Sequence, residues 1–420
     1  MRGAEARPEE AGLDISVVVE QLRRRVPGGI GTYALGLLKG LGEVSAGTSS
    51  PRPRRLGLLA TPYMGRGDDP LAAYASALEV AELEILGKWW GEPLAKVAAS
   101  AGSSFLGSLP GAVVTRLWSS GGGALRTRSD VVHSVSMAVP PTGGVPLTVM
   151  IHDVAWRQAP ATFPRRGLAW HEAALRRVCR SRATVVMPSR AAAMALRQAT
   201  AELDPARIEV IPHGVDHLAS PDATGARRLL AKLGVEGGYI LSVGTLEPRK
   251  NLRRLVEAYT SVRKDLPEAL RLVIVGPAGW GDALSGAEGV VLAGQTSGGV
   301  LSGLYAAATM VAYVPLAEGY GLPAMEALAA GAPLIASTGV PSVLELAPSA
   351  ARLVDPESTE AIAGALGELA TDASARAELV VAAARAVTGL TWEESARRHL
   401  ALWGRLAGAG GEPGPDRGEA

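Results

Sequence analysis

The stretch MVAYVPLAEGYGLPAMEALAAGAPLIAST, Met310 to Thr338, reads as a strand, a helix and a second strand. MVAYVPL and PLIAST are short apolar runs without polar alternation, the pattern of parallel strands covered on both faces. Between them a glycine-rich loop leads into a helix expected to start near Leu322. Pro323 suits its first turn, and Gly331 followed by Pro333 suits its end. A helix starting beyond the carboxyl edge of a parallel strand presents free N–H groups and a positive dipole end to an anion. Gly319 and Gly321, around Tyr320, are expected to let a ligand come close to the backbone. Two carboxylates, Glu318 and Glu326, interrupt an otherwise uncharged run. Glu318 is expected at the rim of a cleft. Glu326 is expected in the first turn, where it would be repelled by a phosphate but would accept well from a ribose diol. The competing reading has Glu326 complementing the helix dipole and Glu318 in solvent.

Outward from this unit, the same grammar covers most of the chain. DISVVVE, RLGLLAT, DVVHSVS, PLTVMIHD, ATVVMPS and IEVIPHG read as strands before residue 215; YILSVGT, LRLVIVG, GVVLAG and ARLVDP do so after it. Helical segments alternate with them, so the fold class is α/β, two doubly wound Rossmann-like domains with ligands at the carboxyl ends of their strands. The expected division is 1–214 for an N-terminal Rossmann-like domain and 215–390 for a C-terminal one. A helix follows over 391–407, packing back toward the first domain, and then a disordered tail, 408–420. Between Met64 and Gly123 the pattern is mostly helical with glycine breaks.

At 420 residues, 47% hydrophobic and 20% charged, the chain can bury two large cores. Lys and Arg number 42 against 41 Asp and Glu, so no global field favours nucleic acid, and the single cysteine, Cys179, allows no internal disulfide. The N-terminus lacks a signal-peptide pattern, and the expectation is a cytoplasmic protein, at most peripheral at the inner face of the membrane. Gln295 to Ala317 is free of charge and long enough to raise a membrane helix, but Gly298-Gly299 and Pro315 break it into a buried helix and strand.

A second segment, VGTLEPRKN, places Arg249 and Lys250 between a strand ending near Gly244 and a helix that Asn251 can cap. Two cations at a strand's carboxyl edge suit a diphosphate, or else form a solvated pair. Taken together, VGTLEPRKNLRRLVEAY, VIVGPAGWG, EGYGLPAMEALAAGAPLIAS and IPHGVD resemble the retaining glycosyltransferases of family GT4, which have the GT-B fold. The resemblance spans roughly Gly238 to Asp355. It is thinner in the first half, where it rests on GGIGTYALGLLKGL, VMIHDVAW and VVMPSRAAAMAL.

The resemblance implies a nucleotide-diphosphate sugar as donor substrate, with GDP-mannose as first choice, no cofactor and a glycan, glycolipid or small-molecule acceptor. It implies that Glu326 holds the nucleotide ribose, Glu318 lies by the donor sugar, Lys250 contacts the phosphates and His152 faces the reaction centre. Many relatives have an arginine directly after the loop glycine; here Thr245 follows Gly244. Arg249 either replaces that arginine or points to solvent. Gly28, Gly29 and Gly31 fail the G-x-G-x-x-G fingerprint; they read either as a plain tight strand-to-helix turn or, as the resemblance implies, as a turn whose amides approach the diphosphate from across the cleft. His213 is assigned to the interdomain hinge, and Asp153 to a cap. No D-x-D occurs in the sequence, so metal-independent transfer is expected.

FPRRGLAWHEAALRRVCRSRA interleaves six arginines with Leu168, Trp170, Leu175 and Val178. It reads either as a peripheral membrane contact serving a lipid-linked acceptor or as a solvated face whose apolar side is core. Rival functions are a catalytically silent nucleotide-sugar-binding subunit, an epimerase or phosphorylase-like enzyme, and a Rossmann oxidoreductase. The last lacks its glycine fingerprint.

Overall fold

The structure, a computed structural model, describes residues 12–23, 28–46, 53–60, 71, 82–85, 129–140, 142–267, 270–280 and 286–409. The helical reading of Met64 to Gly123 lies almost wholly outside these residues, as does the tail beyond 409. The strands are β1 (Leu13–Val18), β2 (Pro53–Ala60), β3 (Glu82–Ile85), β4 (Val131–Ser134), β5 (Leu147–Met150), β6 (Thr184–Met187) and β7 (Ile208–Val210). They continue with β8 (Tyr239–Val243), β9 (Arg271–Val275), β10 (Val290–Gly294), β11 (Met310–Tyr313), β12 (Leu334–Ser337) and β13 (Ala351–Val354). They form a seven-stranded sheet of order β3-β2-β1-β4-β5-β6-β7 and a six-stranded sheet of order β10-β9-β8-β11-β12-β13. The strand pairs of both sheets are parallel.

Alternate residues of one strand enter different cores, which is why these strands are apolar throughout. Met150 and Val186 pack on one face of the first sheet, Val149 and Val185 on the other. In the second sheet Leu241, Val273 and Val311 face one core and Ile240, Leu272 and Met310 the other. Strand β3, absent from the sequence reading, sits at the edge of the first sheet. The strand order reverses between β1 and β4 and again between β8 and β11, creating two switch points where ligands bind in such sheets.

The helices that shape the site are α1 (Gly28–Ala46), α2 (Arg165–Arg180), α3 (Arg190–Ala199), α4 (Leu252–Val262), α5 (Gly298–Ala307), α6 (Leu322–Ala329), α7 (Pro341–Leu346) and α8 (Trp392–Ala409). The charge-free window resolves into α5 and β11. Among the described residues no helix is long and apolar enough to cross a membrane. In α2, Leu175 and Val178 are buried in the first domain's core and Leu168 packs against it. Trp170, the fourth apolar residue of that stretch, is exposed.

Asn251 corrects a sequence expectation. It stands at the start of α4 with φ 59°, but its side chain makes no cap. Its amide instead donates to the carbonyls of Val314 (3.0 Å) and Pro356 (2.7 Å), tying the basic loop to the ends of β11 and β13.

The chain crosses between domains twice, side by side. Val215 N–H donates to the Leu390 carbonyl at 3.0 Å, and Trp392 N–H donates to Asp216 at 2.7 Å. Helix α8 is capped by Thr391, whose hydroxyl accepts from Glu394 N–H at 3.1 Å, and it buries Trp392 and Trp403 against the first domain. Further bonds close the domains on each other. Ser189 Oγ donates to the Gly319 carbonyl (2.8 Å), and Glu345 of α7 accepts from the N–H groups of Arg190 (3.0 Å) and Ala191 (2.7 Å) at the start of α3.

Candidate active site

The two switch points open on one cleft of about 650 Å³. From the first domain it is lined by Gly28, Gly29 and Gly31 at the start of α1, by Ser136 and Met137 after β4, and by His152 and Asp153 after β5. From the second come Gly244 to Lys250 after β8 (Leu246 and Pro248 excepted) and Glu318 to Pro323 after β11, with Glu326 one turn further on. Every residue singled out as catalytic or donor-binding in the sequence thus borders a single space.

The basic loop is not a pair of free cations. Glu318 accepts from Tyr313 OH at 2.7 Å, pairs with Arg249 at 2.9 Å and is hydrogen-bonded by Lys250 Nζ. Lys250 also donates to Tyr313 OH at 2.8 Å. Arg249 reaches Glu247 at 2.8 Å and the Ala317 carbonyl at 2.9 Å, so it is turned into the protein and not toward solvent. Burial works against charge on Glu318, but Arg249 and then Lys250 overcome it and hold its carboxyl down at about 2. For Arg249 burial again opposes the charge, and Glu318, Asp153 and Glu247 more than restore it. Two cations facing three carboxylates, Glu318, Glu247 and Asp153, leave this patch without net positive charge. The amides at the start of α6 add the positive end of a helix dipole beside it.

Glu326 is buried one turn into α6. Its oxygens accept from His217 Nε2 and from Tyr305 OH, each at 2.9 Å. His217, Tyr305 and Tyr313 were missed in the sequence because each meets its carboxylate only through tertiary packing. The glycines also answer to packing that the sequence did not show. A Cβ on Gly319 would lie 1.6 Å from the His152 carbonyl oxygen, and one on Gly321 (φ 97°) would lie 2.4 Å from Val340. Protein packing, not ligand approach, therefore excludes a side chain at both.

His152 donates from Nε2 to the Val135 carbonyl at 3.0 Å, leaving Nδ1 as an acceptor, and burial lowers its pKa, keeping the ring neutral. His213, assigned to the hinge, is a wall of the cleft. Its buried ring lies 5.7 Å from that of His152 and stacks on Trp392 at 5.6 Å. Asp153 caps the next turn through Ala155 N–H at 3.0 Å. Beyond His152 the cleft is aromatic: Trp156 stacks on His171 at 4.7 Å, with Phe163 and Trp170 beside them, and Trp280 reaches over to donate to the Thr162 carbonyl at 3.0 Å.

Two family descriptions match the chain in the order of its domains: Glycosyltransferase Family 4 over residues 102–217 and Glycosyl transferases group 1 over residues 231–386. The chain belongs to the GT4 glycosyltransferases. Among curated relatives of this GT4 member, O-antigen chain mannosyltransferase B of Escherichia coli is 32% identical over 133 residues, covering 30% of this chain and 35% of the relative. D-inositol 3-phosphate glycosyltransferase of Salinispora arenicola (strain CNS-205) is 31% identical over 233 residues, covering 50% of this chain and 52% of the relative. The chain thus spans between about a third and about half the length of these relatives. Among solved structures, Anabaena Alr3699/HepE in complex with UDP and glucose has a TM-score of 0.64 at 18% identity, covering 94% of this chain and 100% of that one. WaaG, a glycosyltransferase involved in lipopolysaccharide biosynthesis, has a TM-score of 0.59 at 14% identity, covering 92% of this chain and 99% of that one. These likenesses identify the two-domain arrangement of the GT4 member as GT-B.

Proposed function

We propose that this protein transfers a hexose from a nucleoside-diphosphate sugar to a hydroxyl of a glycan, glycolipid or small molecule, with retention at the anomeric carbon. The observation that carries this reading is the meeting of Lys250, Glu318, the start of α6 and Glu326 in one cleft, opposite the glycine turn of α1. The nucleotide ribose is read by Glu326. The diphosphate lies between the α6 amides, Lys250 and the N–H groups of Gly29 and Gly31. Arg249 holds Glu318 and takes over part of the role that Thr245 cannot fill. The sugar faces His152 and Glu318, and the acceptor enters along the aromatic wall.

In the reaction the bond from the anomeric carbon to the diphosphate oxygen breaks. Negative charge grows on the leaving group, where fixed amides and Lys250 stabilise it without reorganisation. The acceptor oxygen bonds to the same face, and its proton passes to the leaving phosphate. Neutral His152 accepts a sugar hydroxyl at Nδ1. The absence of a D-x-D sequence supports turnover without a divalent ion, so activity in EDTA should equal activity with Mg²⁺. Mannose is the preferred sugar because a curated relative is named a mannosyltransferase, and GDP-mannose is the first donor to test, with UDP-glucose beside it.

Calorimetric titration with GDP and UDP tests the site. Lys250→Ala and Glu326→Ala should each weaken binding by about tenfold or more, the worth of a hydrogen bond to a charged group. Wild-type affinity in both variants overturns the assignment. A catalytically silent subunit would bind these ligands but release no nucleotide from any donor.

A further inference from the structure

Glu326 is not oriented by its own helix alone. His217 lies 109 positions earlier, on the linker between the domains, and its Nε2 is 2.9 Å from Glu326 Oε1. On the other side of the ring, Trp392 Nε1 donates to His217 Nδ1 at 3.1 Å. An indole N–H can only donate, so Nδ1 carries the lone pair and the ring hydrogen sits on Nε2, aimed at the carboxylate. Tyr305 OH engages the second oxygen at 2.9 Å. Each oxygen of Glu326 then keeps lone-pair capacity for one hydroxyl of a cis-diol. Among the described residues lining the cleft, Glu326 is present, whereas His217 and Trp392 stand behind it. Trp392 is itself fixed from the far domain. It is fully buried at the start of α8, against Gly36 of α1, where even a Cβ would lie 2.1 Å from the indole.

We propose that His217 is a positioning residue: held in its Nε2–H form by Trp392, it fixes the Glu326 carboxylate for the donor's ribose diol, so the seating of α8 on the first domain sets donor affinity. This rests on the nucleotide-sugar reading given above. The residue acts through Glu326 and touches no reacting atom, so substrate affinity, not the chemical step, should register its loss.

The experiment compares wild type, His217→Ala, His217→Gln and Trp392→Phe by calorimetry with UDP, GDP and their 2′-deoxy forms. Long-range ¹H–¹⁵N spectra of the histidines are recorded in parallel. His217→Ala and Trp392→Phe should weaken binding of the ribonucleotide by about tenfold, the loss expected for a hydrogen bond to a carboxylate. The 2′-deoxy form should bind nearly as before, and donor KM should rise with kcat little changed. Gln carries an amide N–H near the Nε2 position and should restore much of the affinity. Wild-type His217 should show Nε2–H, and Trp392→Phe should mix the tautomers. Trp392→Phe keeps the ring in its groove and carries the test if His217→Ala does not fold. Wild-type affinity in both His217→Ala and Trp392→Phe, or an Nδ1–H tautomer in wild type, overturns the proposal while leaving the functional reading intact. Failure of wild type to bind either nucleotide removes the functional reading and this inference with it.

Discussion

Glu318 shows how one side chain answers to several partners. Its carboxylate is shared by Arg249, Lys250 and Tyr313, and its low pKa measures what those cations supply against burial. Removing one member of a buried ion cluster costs more than the cluster contributes, because the charges left behind lose their compensation. Glu318→Gln should therefore destabilise the second domain by about 3 kcal/mol, the low end for breaking a buried pair, and abolish turnover. Urea unfolding followed by circular dichroism measures the first and donor consumption the second. A variant as stable as wild type would show that the cations repartner without cost. Because the folded-state pKa of Glu318 is depressed, its contribution is complete above its unfolded value of 4.5 and is lost as pH falls toward about 2.

The loop from β11 to α6 is the element on which both domains converge. Gly319 sits where the His152 carbonyl comes nearest, and the Gly319 carbonyl in turn accepts from Ser189. Gly319→Ala would place a methyl 1.6 Å from that oxygen and force the domains apart by about an ångström or more. Displacements of that size cost reacting groups about a hundredfold in rate, and that is the expected fall in kcat. Nucleotide binding, which draws mainly on the second domain, should weaken less. Small-angle scattering should record a larger radius of gyration, and an unchanged kcat would mean that the observed closure is not needed for turnover. The strand and helix pattern of this loop was readable from Met310 to Thr338, since apolar runs and Pro/Gly punctuation are local. Its role in closure was not, since His152 lies in another domain.

Across the whole molecule, a buried polar chain fastens α8 to the first sheet. Trp403 Nε1 donates to Thr148 at 3.0 Å and Thr148 to His133 Nδ1 at 2.8 Å. His133 Nε2 donates to Tyr33 at 2.8 Å, Tyr33 to His399 Nε2 at 3.0 Å, and His399 Nδ1 to the Ser395 carbonyl at 2.8 Å. Every hydrogen is used once, and a further proton on either ring breaks the chain. Burial lowers the pKa of His133, His152, His213 and His399, the last to about 4. The unfolded chain binds protons near 6.5 while the folded one does not, so stability is complete above that pH and falls as pH drops toward 4. Each such histidine contributes about 1.4 kcal/mol per pH unit over its window. Unfolding free energy at pH 5.0 should thus lie several kcal/mol below that at pH 7.5, well before Glu318 titrates. His399→Gln should shallow that slope by about one proton. A flat profile between these pH values would contradict the neutral chain.

Apart from β3, the strands of both sheets, the helix start at Leu322 and the spacing of Glu318 and Glu326 followed from the sequence, because backbone pairing and burial on both faces leave periodic, local marks. β3 left none: ELEI alternates charge with apolar residues inside a stretch that also suits a helix. The inward turn of Arg249, the close approach that excludes a side chain at Gly319 and the path from Trp392 through His217 to Glu326 belong to the packed molecule. They join residues distant in the chain, and a sequence records such partners only as isolated polar letters until two domains bring them within hydrogen-bonding distance.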